Sequence, residues 1–161
     1  AFGAFTDVAY NTPQQFKSIF GHLAYVLEGA TRIGSIQAYP LTVEHDQGME
    51  VGSYCYGMVS NTISVGGFKG MPTQPVELDD GIFEVILVRQ PQNPIQLQAI
   101  LKALVQMAPD DHGLVTSYRT SRLKITCESA LPWTLDGEFG GAHREAEIVN
   151  CPRAVSIVYG R

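Results

Sequence analysis

The sequence predicts an α+β domain: a mainly antiparallel β-sandwich with two packed helices. Beyond about residue 35 the chain reads largely as strand-like runs, punctuated by turns rich in Gly, Pro, Asn and Asp. Only two stretches, 12–29 and 94–107, carry apolar residues at helical spacing. Placed in order, these runs give β-α-β-β-β-α-β-β-β, an arrangement that suits a sheet with helices packed on it.

The opening, "AFGAFTDVAY", already alternates like structured sequence. It has neither an initiator Met nor a signal-peptide design, so the chain is expected to be cut from a longer one. In "TPQQFKSIFGHLAYVLEG" (12–29), Thr12 and Gln15 form a capping box and Pro13 suits the first helical position. Phe16, Ile19, Phe20, Leu23 and Leu27 share one face, and Gly29 supplies a stop. His22 has no His or Cys at ligand spacing on its face and is read as structural.

"IQAYPLTVE" and "MEVGSYCYGMVS" flank "HDQG" and predict a hairpin, with His45 and Asp46 as solvated turn residues. The Gly-rich stretch at 64–75 matches neither a P-loop nor a dinucleotide fingerprint and reads as an irregular loop. "GIFEVILVRQ" (81–90) is apolar on both faces except for Glu84, the mark of a central strand. The second helix has Asn93 as cap, Pro94 at its first position and Gln96 at its third. Its stripe is Leu97, Ile100, Leu101, Leu104 and Val105. Strands are then expected over about 114–128, 143–150 and 153–159. Leu123, Ile125 and Cys127 alternate with Arg122, Lys124 and Thr126, giving one covered and one wet, basic face.

The chain has 161 residues, 45% of them hydrophobic and 17% charged, which suits one packed domain and excludes disorder. No apolar run approaches the roughly 20 residues that span a bilayer. A net charge of −5 and the lack of RNP or zinc-finger patterns argue against nucleic-acid binding. Cys55, Cys127 and Cys151 are odd in number and show no CxxC spacing, so a disulfide framework or zinc site is not expected. A reducing, cytosolic setting follows, with Cys127 and Cys151 expected as small core residues.

Two acidic turns stand out, "VELDDGIFEV" (76–85) and "WTLDGEFGG" (133–141). Asp136-Gly137 reads as a tight hairpin turn. That accounts for neither Glu138 nor Gly140-Gly141. Asp79-Asp80-Gly81 is either a solvated turn or a place for a hard cation.

Three stretches, "FGAFTDVAYNTPQQFKSIFGHLAYVLEG", "GMVSNTISVGGFKGMPTQPVELDDGIFEVILV" and "ITCESALPWTLDGEFGG", resemble the C-terminal domain of bacterial diacylglycerol kinase-like lipid kinases. The resemblance to this diacylglycerol kinase catalytic-domain family spans nearly the whole chain. It implies a two-domain enzyme whose N-terminal domain binds ATP through a Gly-Gly-Asp-Gly-Thr motif. That motif is absent from the present sequence, so these residues alone are expected to be inactive.

The resemblance makes Glu138 the general base and Asp136 a supporting acid of the same turn. It implies a structural Mg²⁺ held by Asp80 and by the carbonyls of Glu77 and Ile82. The substrate would be a lipid alcohol, reached by peripheral contact with the inner face of the membrane from the cytoplasm. Gly140-Gly141 would leave room for that acceptor.

Two other readings compete. A hydrolase using Asp136 and Glu138 as an acid pair is poorly served by two acids in one turn. A non-catalytic β-sandwich binding module, with Trp133 as a stacking platform, explains the sheet equally well. Arg119, Arg122 and Lys124 suggest a headgroup or membrane contact if they share a face, but Arg119 has the opposite strand parity.

Overall fold

A computed structural model describes residues 1–3, 36–61, 64–65, 68–69, 77, 79–106, 113–156 and 158. The helix expected over 12–29 lies outside them. The architecture is mainly antiparallel β with one described helix.

The strands are β1 (Phe2–Gly3), β2 (Tyr39–His45), β3 (Gly48–Ser60), β4 (Ser64–Val65) and β5 (Phe68–Lys69). They continue as β6 (Phe83–Arg89), β7 (Val115–Thr120), β8 (Arg122–Leu135) and β9 (Glu138–Val149). Helix α1 (Pro94–Gln106) lies between β6 and β7. The main sheet runs β1-β8-β2-β3-β6-β7, with β9 also paired to β8, while β4 and β5 form a small separate ladder.

Strands β3 and β8 are long enough to take different partners along their lengths. Tyr39 of β2 pairs with Tyr54 of β3, and Gly3 of β1 pairs with Tyr56 just beyond. On β8, β2 covers Leu123–Cys127 and Phe2 of β1 covers Trp133. Thus β1 and β2 lie in line, in one lane between β3 and β8. Ala1 and Thr134 exchange both backbone hydrogen bonds there, at 2.8 and 2.9 Å.

The two-faced apolar character of β6 shows in the packing. Val85 and Leu87 enter one core with Tyr39, Leu41, Val43, Tyr54, Leu123, Ile125, Leu131 and Trp133. Ile86 and Val88 enter a second core with Cys55, Met58, Leu114 and Ile100 of α1. Each buried Leu or Ile contributes about 1.5–3 kcal/mol relative to leaving it exposed. The expected cap of α1 is formed: Asn93 Oδ1 accepts the Gln96 N–H at 2.9 Å. Leu97 and Ile100 are buried and Leu104 partly so.

Several expectations need correction: within 64–75, expected as an irregular loop, Ser64–Val65 and Phe68–Lys69 pair as a short antiparallel ladder. The run 114–128 is two strands, because the chain turns at Ser121 and β8 then continues through Pro132 to Leu135. No strand forms over 153–156. Cys151, expected in the core, is exposed, because the chain has left the sheet by then; Cys55 and Cys127 are buried. The basic face of β8 is also neutralised: Arg122 meets Glu147 at 3.1 Å and Lys124 meets Glu145 at 3.2 Å, both on β9.

Candidate functional site

Both acidic turns sit where a strand begins. At the β8–β9 turn, Asp136 has φ 48° and Gly137 φ 90°, the pair of positive values that a type I′ turn requires. Leu135 and Glu138 face each other as the last ladder pair, so Glu138 is the first residue of β9. Its side chain is exposed, and among the described residues nothing forms a hydrogen bond or ion pair with the carboxylate. Asp136 is exposed too.

The glycines beyond have a structural explanation. Pro132 pairs with Ala142 and Thr134 with Phe139, so Trp133 faces both Gly140 and Gly141 across the ladder. This is a β-bulge, and Gly141 has the positive φ (92°) such a bulge favours. A side chain at Gly140 would meet Leu135, since a Cβ there would lie 2.6 Å from Leu135 Cγ. The pair therefore forms the bulge two residues beyond Glu138 on the same strand. Apolar side chains flank the acid: Leu135 and Phe139 are 59% and 61% exposed.

At the second turn, Asp80 closes on its own backbone: Oδ1 accepts the Ile82 N–H at 2.8 Å. Its Oδ2 takes the Arg119 guanidinium at 2.5 Å. Arg119 lies directly opposite Glu84 in the β6–β7 ladder, and its Nε is 3.4 Å from Glu84 Oε1. Glu84 is 4% exposed, and its Oε2 has no hydrogen-bond partner among the described residues. Burial pushes its carboxyl above the usual carboxylate range, while the Arg119 charge pulls it back. Asp79 meets Arg153 at 3.6 Å, and Glu77 is exposed.

Sequence reading singled out Asp80 and Ile82 but not the Arg119–Glu84 pair beside them. The signal was a lone acid in an otherwise apolar strand. Arg119 belongs to this acidic cluster and shares no face with Arg122 and Lys124. Among the described residues no group of three or more His, Cys, Asp or Glu side chains gathers as a metal cluster. No helix of these residues is long and apolar enough to cross a membrane.

This antiparallel sandwich, with its acidic hairpin tip, defines a recognisable class. Residues 4–159 match the family described as the YegS C-terminal NAD kinase beta sandwich-like domain, and the chain belongs to that family. It is 27% identical over 156 residues to a diacylglycerol kinase of Bacillus subtilis (strain 168), covering 97% of this chain and 50% of that protein. A diacylglycerol kinase of Staphylococcus aureus (strain NCTC 8325 / PS 47) is 29% identical over 155 residues, covering 96% and 48%.

The chain spans about half the length of these curated relatives. A crystal structure of a diacylglycerol kinase from Bacillus anthracis str. Sterne aligns with a TM-score of 0.52 and 14% identity. That alignment covers 77% of this chain and 44% of the other, a likeness of fold.

Proposed function

We propose that these residues are the C-terminal domain of a two-domain, ATP-dependent lipid kinase, and that Glu138 is its general base. The observation that carries this reading is Glu138 itself. It is an exposed carboxylate, without a partner among the described residues, on a turn fixed by a type I′ pair and a bulge. The family and the diacylglycerol kinase relatives support the reaction class.

Phosphoryl transfer asks a protein mainly to position groups and stabilise charge. The lipid hydroxyl oxygen bonds to the γ-phosphorus, the bond from that phosphorus to the ADP oxygen breaks, and the hydroxyl proton passes to Glu138. Asp136 supports the turn as a second acid. ATP is held mainly by a domain outside these 161 residues, so this domain alone is inactive. The substrate is diacylglycerol or a related lipid alcohol, met by peripheral contact at the cytoplasmic face of a membrane.

Mg²⁺ at the D-D-G turn belongs to the same proposal. The Asp80 carboxylate and the carbonyls of Glu77 and Ile82 are the hard oxygen donors that Mg²⁺ takes. A bound ion would neutralise charge and brace the turn ahead of β6. The buried Glu84 beside it, whose carboxylate oxygens accept no hydrogen bond among the described residues, suits a region built to balance positive charge.

The test is phosphate transfer from ATP to diacylglycerol in mixed micelles by the full-length parent and its Glu138→Gln variant. Loss of a general base lowers the rate about 10²–10⁴-fold. Equal rates in two folded proteins would remove the assignment of Glu138.

A further inference from the structure

We propose that Arg119 is an exchangeable counter-ion of the D-D-G turn: it holds Asp80 when no metal is bound and moves wholly onto Glu84 when a hard divalent cation takes Asp80. This inference rests on the magnesium reading of the turn. Three observations carry it. The guanidinium lies between two carboxylates, at 2.5 Å from Asp80 Oδ2 and 3.4 Å from Glu84 Oε1. Its contact with Glu84 is therefore too long to be a good hydrogen bond.

The second observation is that Glu84 has capacity to spare. It is buried, and its Oε2 has no hydrogen-bond partner among the described residues. A carboxylate can accept two parallel N–H bonds from one guanidinium, so Glu84 offers a complete fork where one long contact now stands. Third, the move is short, because Glu84 and Arg119 are direct cross-strand partners. No backbone rearrangement is needed to close it.

Electrostatics then links the two positions. A divalent cation on Asp80 repels a guanidinium on the same carboxylate, and the interaction is strong in a partly buried setting. Glu84 receives the displaced charge and so lowers the cost of cation entry. Arg119 competes with the metal, whereas Glu84 assists it.

The two residues thus have opposite effects on cation affinity, which a merely structural ion pair would not produce. The measurement is the melting temperature of full-length, EDTA-treated, nucleotide-free protein titrated with MgCl₂. Arg119→Gln should move the midpoint of the Mg²⁺ response to about tenfold lower concentration. Glu84→Gln should move it higher, because Arg119 is left with Asp80 alone.

If Glu84→Gln fails to fold, Arg119→Lys decides. Lysine keeps the charge but cannot fork onto Glu84, so its midpoint should equal or exceed that of the parent. A midpoint as low as that of Arg119→Gln would overturn the exchange. Equal midpoints in all the variants would overturn it too, while leaving the magnesium reading intact. No Mg²⁺ response in any of the proteins would remove both.

Discussion

Asp46, in the β2–β3 turn, accepts both the backbone N–H of Ser121 at 2.6 Å and its hydroxyl at 2.8 Å. Ser121 is the single residue joining β7 to β8, so one carboxylate ties two turns from distant parts of the chain. The Asp46 N–H adds to this by donating to Thr120 Oγ1 at 3.2 Å. These donors hold the Asp46 carboxyl below its ordinary value of 3.8. A depressed folded-state value stabilises the fold above the unfolded pKa and loses that contribution as pH falls through the folded one. Asp46→Asn should therefore lower the melting temperature at neutral pH. The gap from the parent should close below about pH 3.8 in calorimetric scans.

Gly141→Ala tests the bulge. The positive φ of Gly141 disfavours any side chain, and a Cβ would lie 2.6 Å from His143 Nε2. The expected loss is about 1 kcal/mol or more, read from denaturant unfolding. Under the proposed function, the same variant should slow phosphate transfer by the full-length protein, because the bulge lies on the same strand, two residues beyond Glu138. An unchanged rate would show that the bulge and the base are independent.

The two packed regions should answer truncation differently. Leu123 is fully buried among β2, β8 and β9 side chains, and Leu123→Ala should cost about 2–5 kcal/mol. Asn93→Ala removes one exposed cap bond and should cost about 1 kcal/mol. Parallel urea titrations of the two variants give the comparison directly.

Thiol reactivity gives a fourth check. Burial pushes the Cys55 thiol up to about 11, and both Cys55 and Cys127 are buried, while Cys151 is exposed. A maleimide or disulfide reagent should modify Cys151 first in the native protein, with Cys55 and Cys127 following only on unfolding. Mass spectrometry of a timed reaction distinguishes the order.

Much of this fold was legible because local chemistry and global position agreed. Asn93, Pro94 and Gln96 announced α1 to within a residue, and the double-sided apolar run of β6 announced a strand between two cores. The break at Ser121 was not legible. Thr120, Ser121 and Arg122 carry no turn residue such as Gly or Pro, and the corner depends on Asp46 from a turn far away in sequence. Pro132 inside β8 pointed against a continuous strand, yet the adjoining bulge accommodates it. At the site, the Asp136-Gly137 turn could be read directly. The Arg119–Glu84 pairing could not, since it follows from the register of β6 against β7.

The shared lane of β1 and β2 has a consequence for β3. The chain leaves that lane at Gly3 and rejoins it at Tyr39, and those residues meet Tyr56 and Tyr54 of the same strand. Tyr54 and Tyr56 of one strand therefore receive both the start of β2 and the end of β1. Strand β3 is thus the shared rail of that lane, and a change in its register would displace β1 and β2 together.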